Sequence, residues 1–463
     1  CTWTFLAQAI FAADTPTPKP NILIVIADQW RAQAFGYAGD PNAKTPNLDA
    51  LASRSVNFTQ AVSSIPVCSP MRATLMTGQR ALTHGVFLND VPLNPQATTL
   101  AKVLKQDGYD TGMIGKWHID GHGRSNYIPA ERRQGFDYWK VLECTHAYNN
   151  SPYYAGGPEK LKWDGYDAIA QTDDAIQYIK SRKPDSKPFA LVLAWGPPHD
   201  PYLTAPEKYR AMFDPAKLQL RPNVPKNIED AVRKNAAGYY AHGAALDDCM
   251  GRLRAKLAEA KLADNTIVIF TADHGDLLGS HGAYHKQQPF EESIRVPLLV
   301  HWPAGLGNDA KKLEAPIATE DLMPTILGLA SVAIPQTVQG LDFSHHIRGG
   351  PDLSDGSAMI LCPAPFGQWN RLLGGREYRG VRTSRYTYVR DLKGPWLLFD
   401  NQNDPYQEKN LVNTPEAAKL QADLDSTLQI KLKIAGDQFR PAAEYITKWE
   451  YKVDARGTVP YTN

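Results

Sequence analysis

Five short apolar runs rich in β-branched residues constrain this chain more than any other feature: Ile22 to Ala27, Thr111 to Ile114, Phe189 to Trp195, Thr266 to Thr271 and Val296 to Trp302. Each is too short for a buried helix and none alternates polar with apolar, so each reads as a strand covered on both faces. Segments of helical period lie between them. Thr98 to Lys105 is one; Ala168 to Ile179 gathers Ile169, Thr172, Ile176 and Ile179 on one side. Val232 to Leu257 repeats Tyr239, Leu246, Met250, Leu253 and Leu257 at spacings built from three and four. Strands alternating with helices specify an α/β fold, a large and mainly parallel central sheet with helices on both faces. Ligands of such folds sit beyond the carboxyl ends of the strands.

After about Gly350 the pattern changes. Tyr378 to Arg390 alternates around Val381, Tyr386, Tyr388 and Val389, Trp396 to Phe399 forms a second short run, and Pro415 to Ile434 reads as a helix. This predicts a smaller α+β domain with an antiparallel sheet. With 463 residues there is room for both. The expected division is a body over 20–350 and a C-terminal domain over 351–463 that contributes to the pocket. Cys1 to Ala13 is apolar and precedes a polar, proline-rich stretch, so 1–13 reads as the remnant of a signal peptide, with a lipid-modified Cys1 as the competing reading. An exported protein, periplasmic or secreted and without a membrane span, is expected. Fifty basic against 49 acidic residues give a net charge of +1. That balance provides no long-range field for nucleic acid or an anionic membrane, and any anion must be caught locally. Five cysteines are too few for a disulfide scaffold and too far apart for a zinc ribbon.

Chemistry-bearing residues stand directly after two of the runs: Asp28-Gln29 and Asp273-His274-Gly275. Carboxylates at neighbouring strand ends converge above a sheet, as a divalent cation requires, although Asp there can also cap a helix. A third element is Cys68-Ser69-Pro70-Met71-Arg72. Ser69 suits an N-cap, Pro70 the first helical position and Gly78 the end of a helix over Pro70 to Thr77. Cys68 would then lie at a helix mouth, where free N–H groups and the dipole favour an anion and lower a thiol's pKa. Arg72, one turn in, offers a fork to an oxyanion or to the nucleophile. The structural alternative is a buried cysteine ahead of a capped helix.

These motifs resemble the formylglycine-dependent sulfatases of the alkaline-phosphatase-like superfamily, bacterial carbohydrate sulfatases among them. The family signature Cys-x-Pro-x-Arg followed by Thr-Gly is matched by Cys68, Pro70, Arg72 and Thr77-Gly78. The resemblance runs from Asn21-Ile22-Leu23 through Gly115-Lys116-Trp117-His118, Pro197-Pro198-His199 and Asp273-His274-Gly275 to Val381-Arg382-Thr383 and Asp404-Pro405. It implies that a maturation enzyme, formylglycine-generating or equivalent, converts Cys68 to formylglycine. One hydroxyl of the hydrated aldehyde attacks sulfur and the alcohol leaves. Loss of a proton from the second hydroxyl then expels sulfate and restores the aldehyde.

The resemblance also assigns roles. Lys116 contacts sulfate and nucleophile, and His118 takes the proton that releases sulfate. His199 and Lys286 sit on the bridging oxygen, one of them the acid for the departing alcohol. Asp28, Gln29, Asp273 and His274, with residue 68, hold one metal. Calcium is the expected ion, with manganese or zinc behind it, because Gln29 brings an uncharged oxygen and His274 a softer nitrogen. Related phosphonate and phosphodiester hydrolases carry the same Asp-Gln and Asp-His pairs, so a phosphonate monoester or phosphodiester hydrolase is the enzymatic rival. An inert sulfated-glycan-binding protein is the non-enzymatic one. The expected substrate is a sulfated carbohydrate, bound by Asp200, His285, Trp369, Arg371 and Arg376, the aromatic and arginine residues suiting a sugar ring and its acidic groups. Gly121 to Tyr154 is expected to border the pocket.

Overall fold

The computed structural model describes residues 18–183 and 186–462. The expected signal remnant at 1–13 lies outside them. At the centre is a ten-stranded mixed sheet. From edge to edge it runs Lys311–Leu313, Val56–Phe58, Leu298–His301, Thr266–Ala272, Asn21–Asp28, Phe189–Pro198, Asp110–Lys116, Tyr138–Leu142, Pro152–Tyr154 and Lys160–Lys162. The five strands from Thr266–Ala272 to Tyr138–Leu142 are mutually parallel, and Ile22 faces Ala190 on one side and Ile267 on the other. The residues from Ile22 to Ala27 are buried without alternation, as expected of a strand with helices on both sides.

The fifth apolar run is also a strand, Leu298–His301, but it lies antiparallel to Thr266–Ala272. A parallel return needs a crossover of a dozen or more residues, usually helical. Here the connection holds only a 3-10 turn, Ser280–Gly282, and the short helix Glu291–Ile294. The long helices Asp167–Lys180 and Glu229–Glu259 pack against one another and against Phe189–Pro198.

A separate four-stranded antiparallel sheet orders Ser357–Cys362, Tyr378–Thr383, Tyr386–Asp391 and Gly394–Asp400. The alternating stretch from Tyr378 to Arg390 is therefore two strands of a hairpin, and Ser357–Cys362 is a strand the sequence reading did not name. Helix Ala418–Ala435 covers this sheet and buries Leu424, Leu428 and Leu432 at four-residue spacing. The smaller sheet is not independently cored: Met359, Val381, Tyr388 and Leu398 belong to the same apolar cluster as Ile22 and Leu193. Among the described residues no helix is long and apolar enough to cross a membrane.

Candidate active site

Because the central strands are parallel, Asp28, Lys116, Pro198 and Ala272 all end on one edge of the sheet. Gly115 keeps the Lys116 strand close to its neighbour. Its φ is +101°, and a Cβ there would fall 2.1 Å from the Ala194 carbonyl oxygen, so a side chain would push the strand away. Facing this edge is helix Cys68–Thr77. Its N-cap is Val67, not Ser69; Cys68 is the first helical residue and Pro70 the third. The Ser69 N–H donates to Asn89 Oδ1 at 3.0 Å while its hydroxyl is buried without a partner. Three of the first-turn N–H groups lack intrahelical partners by geometry, so proline at the third position costs no hydrogen bond. Gly78 ends the helix in the left-handed region, at φ +61°.

Ligand atoms of Asp28, Cys68, Asp273 and His274 lie within 4.8 Å of one another, all buried. His274 Nδ1 donates to the Gly275 carbonyl at 2.9 Å. That places the lone pair on Nε2, which lies 3.2 Å from Cys68 Sγ, 3.4 Å from Asp273 Oδ1 and 3.7 Å from Asp28 Oδ1. A histidine whose second nitrogen is held by a carbonyl is oriented as a metal ligand. Two carboxylates and an oriented imidazole therefore fit a divalent cation. Gln29 is beside this group: its N–H donates to Asp273 Oδ1 at 3.0 Å, its Nε2 to Asp276 and its Oε1 accepts from Lys286 Nζ at 3.1 Å.

The charges are unequally shared. Burial raises the Asp28 carboxyl, but Lys116, His199, Arg72 and Lys286 outweigh it and hold its pKa well below the usual carboxylate range. Asp273 is pushed up, by burial first and then by Asp28. Burial and Asp28 act to raise the Cys68 thiol, yet Lys116, Lys286 and His274 bring it well below an ordinary cysteine. The cations are close: Lys286 Nζ is 3.3 Å and Lys116 Nζ 3.7 Å from Cys68 Sγ, and Lys116 also meets Asp28 at 2.6 Å. Such a cluster has the charge and spacing to receive an oxyanion at position 68.

Arg72, read from the sequence as a fork for an oxyanion or for the nucleophile, directs its hydrogen bonds to the groups around the site. Its guanidinium donates to Asp28 Oδ2 at 3.1 Å, Asp273 Oδ2 at 2.9 Å and the Lys116 carbonyl at 2.9 Å. One turn into the helix it points under the site, and the two carboxylates capture it. It clamps them together against their mutual repulsion.

Above Cys68 opens a cavity of about 400 Å³, lined by Lys116, His118, His199, Asp200 and Lys286 at its base and by Phe366, Gln368, Arg456 and Tyr461 farther out. His199 is held by its neighbours on both nitrogens. Nδ1 lies 2.9 Å from the Asp200 carbonyl and 3.0 Å from its carboxylate, and Nε2 lies 2.9 Å from Lys286 Nζ. Burial, then Lys286, lowers the His199 pKa. His285 Nδ1 sits 3.2 Å from the Asp200 carboxylate, outside the cavity wall.

The family model described as Sulfatase matches residues 20–332, and one described as N-sulphoglucosamine sulphohydrolase, C-terminal, matches 279–433. The chain belongs to the sulfatase family. It is a sulfuric ester hydrolase of a family that generally uses formylglycine and a divalent metal. It is 45% identical to an ulvan-active sulfatase of Formosa agariphila, over 95% of this chain and 86% of that protein. An endo-4-O-sulfatase of Bacteroides thetaiotaomicron is 30% identical over 85% of this chain and 88% of its own length. The crystal structure of a yidJ sulfatase from Bacteroides fragilis superposes with a TM-score of 0.83 at 32% identity, covering 94% of this chain and 99% of that one.

Besides His285, three residues expected to bind substrate are elsewhere in this sulfatase. Trp369 is buried, stacked on Trp396 and against Tyr378. Arg371 pairs with Glu377, and Arg376 lies over the Trp396 ring and pairs with Asp391 at 3.2 Å. None lines the cavity; the aromatic and arginine mixture packs the smaller sheet to its loops. Phe366 to Gln368, just ahead of Trp369, reach the cavity instead.

The outer wall draws on the two regions expected to border the pocket, through residues the sequence does not single out. It comprises Asn89 and Asp90, Arg124 and His146 from the stretch expected to border the pocket, and a C-terminal strap whose Asp454, Arg456 and Thr458 to Tyr461 face the opening. The His146 ring stacks on His199 with centroids 4.6 Å apart. No spacing in the sequence marks these residues; the nearest signal was the richness of Gly121 to Tyr154 in Tyr, Asn and His.

Proposed function

We propose that this sulfatase hydrolyses an O-sulfate ester on a carbohydrate, a sulfated glycan or a fragment of one, and that it does so as an exported protein. The observation that carries the reading is the convergence of Lys116, Lys286 and His274 on Cys68 beneath a polar cavity wide enough for a sugar ring. Similarity to an ulvan-active sulfatase and to an N-acetylglucosamine-6-O-sulfatase supports the substrate class. The catalytic body is assigned to 20–350 and the smaller unit to 351–463.

Formylglycine made from Cys68 by a maturation enzyme supplies, when hydrated, one hydroxyl to accept the sulfuryl group and a second whose deprotonation releases sulfate. A divalent cation, calcium by preference, held by Asp28, Asp273, His274 and Gln29 with residue 68, would lower the pKa of that hydroxyl and polarise the sulfate. Lys116 and Lys286 bind the sulfate oxygens and keep the ester above position 68. Arg72 secures the carboxylates.

Proton movement falls to two groups. Lys286 donates to the Nε2 of His199, so the pair holds a proton beside the position of the departing oxygen and delivers it to the alcohol. His118 lies against Cys68 on the other side. Burial lowers its pKa, but Cys144 and Asp90 raise it well above an ordinary histidine; in its neutral form it takes the proton of the second hydroxyl. Asp200 fixes His199 and offers its outer oxygen to a sugar hydroxyl. The test is sulfate release from defined sulfated mono- and disaccharides by enzyme co-produced with a maturation enzyme, set beside hydrolysis of a phosphonate monoester. Sulfate release with little phosphonate turnover supports the proposal. Preference for the phosphonate would transfer the protein to the rival class, and an unmodified Cys68 in protein from its own host would favour a binding protein.

A further inference from the structure

The outer end of the cavity is bounded by a strap, residues 449–462, that lies beyond both family matches, which end at 332 and 433. It follows helix Ala442–Lys448 and is tied to the body at three points. Tyr451 donates its hydroxyl to the Gly85 carbonyl at 2.9 Å, the Gly367 N–H donates to the Arg456 carbonyl at 3.1 Å, and the Arg124 N–H donates to the Thr462 carbonyl at 2.8 Å. Between these points the chain turns on itself: Asp454 Oδ1 accepts from the Arg456 N–H at 2.8 Å and from the Thr458 N–H at 2.9 Å. A segment held by so many backbone bonds fixes the side chains it presents.

Two of those side chains are left unspent. The charge of Arg124, on the facing wall, is met by Asp90, which accepts from Nε at 2.8 Å and from Nη2 at 2.7 Å. Arg456 is exposed, and its guanidinium makes one hydrogen bond, to the Gly367 carbonyl at 3.3 Å. Among the described residues no carboxylate pairs with it, and Asp454 has an oxygen committed to the turn. Tyr461 has the Arg124 guanidinium 3.4 Å from its ring centre on one face and is still 41% exposed. An arginine fork without a partner and an aromatic ring in one cavity wall suit a sugar that carries an acidic group.

We propose that the strap forms a subsite for the sugar next to the sulfated one, with Tyr461 receiving a face of that sugar and Arg456 pairing with an anionic substituent on it, a carboxylate or a second sulfate. The inference rests on the reading of a sulfated carbohydrate substrate and names a chemical feature of it. Lys116 and Lys286 at the base hold the reacting sulfate, and the same cavity of about 400 Å³ carries Arg456 and Tyr461 at its outer end. With a net charge of +1 the protein exerts no long-range pull on a polyanion, so an acidic neighbour is recognised on contact. A contact this far from the reacting bond is made equally before and during reaction, and it therefore shows in KM more than in kcat.

The experiment uses three disaccharides that share one sulfated sugar and differ in its neighbour, which bears a hydroxymethyl group, a carboxylate, or a sulfonate standing for a sulfate that cannot be cleaved. With matured enzyme, kcat/KM for an anionic neighbour should exceed that for the hydroxymethyl one about 10-fold, the worth of a hydrogen bond to a charged group, and chiefly through KM. The anion that gives the larger ratio identifies the substituent. In Arg456→Gln the ratio should fall to near one, and Arg456→Lys, which keeps the charge without the fork, should lie between. Tyr461→Ala should lower kcat/KM for all three by about 3- to 10-fold. No anionic preference in the wild type, or a preference that survives in Arg456→Gln, would overturn the subsite. Sulfate released from none of the three would count against the substrate reading instead, and calorimetric binding of the same sugars to Cys68→Ala then decides the subsite. There the anionic sugar should bind about 10-fold more tightly and lose that advantage when Arg456→Gln is added; equal affinities would overturn the proposal.

Discussion

Lys286 Nζ lies 2.9 Å from His199 Nε2. An ammonium can only donate, so the imidazole is the acceptor, and its Nδ1–H is directed at Asp200. His199 at rest is therefore neutral, in agreement with a pKa lowered by burial and then by Lys286. If the pair protonates the departing alcohol, its value depends on how badly that alcohol leaves. His199→Ala should lower turnover of a sugar sulfate about 100- to 10,000-fold. It should affect a nitrophenyl sulfate, whose phenolate needs no proton, far less, whereas Lys286→Met, which also removes a sulfate contact, should slow both substrates. Equal losses on both substrates in His199→Ala would assign that histidine to sulfate binding instead.

The cation site makes a separate prediction. Asp28 and Asp273 share Arg72, and His274 turns a lone pair towards them. Adding a cation that binds only the folded protein should stabilise it by about 2.7 kcal/mol at a hundredfold excess over Kd. Thermal unfolding with calcium, manganese or zinc after chelation measures this. Calcium should give the largest response. His274→Asn, which replaces nitrogen with oxygen, should keep the calcium response and weaken those of manganese and zinc. A melting temperature unmoved by all three ions would remove the site.

Why this much could be read beforehand follows from how each group is held. Asp28 and Asp273 are placed by continuous buried strands whose ends the sequence displays, and Cys68 begins a short helix ended by Gly78. Such positions are local facts. Strand direction is not, because a run buried on both faces looks the same either way; Leu298–His301 could not be distinguished from a parallel strand. Asp90 and Arg124 meet across 34 residues, and Tyr461 reaches Arg124 from the far end of the chain. Tertiary packing alone creates that wall. Trp369, Arg371 and Arg376 illustrate the reverse error: residue types suited to a sugar proved equally suited to one another.

Cys68 is buried, but its surroundings are cations and carboxylates rather than apolar side chains. Its removal should therefore cost chemistry without costing core volume. Cys68→Ala should abolish sulfate release while circular dichroism and the unfolding midpoint remain close to the wild type, within the 1 kcal/mol or so typical of a point change. Retained sulfate release would eliminate position 68 as the acceptor of the sulfuryl group.

Stability should also depend on acid through a residue outside the site. His84 is buried; its Nδ1 accepts from the Val86 N–H at 3.1 Å, so Nε2–H faces Thr74 Oγ1 at 3.0 Å. The bond from Val86 requires a neutral ring, and burial lowers its pKa from 6.5 to about 3. In the unfolded chain the same histidine gains its proton as pH falls through 6.5, while the folded protein stays unprotonated there. Below about pH 6.5 the unfolded state therefore binds the extra proton, and folding stability falls by up to about 1.4 kcal/mol per pH unit from this residue. The loss stops near pH 3, where both states are protonated. His84→Asn keeps an acceptor for Val86 but cannot titrate. Urea unfolding at pH 7, 5.5 and 4 should show the gap between wild type and variant narrowing as pH falls, because the wild type alone bears this penalty. A constant gap would mean that the His84 ring is protonated in the folded protein.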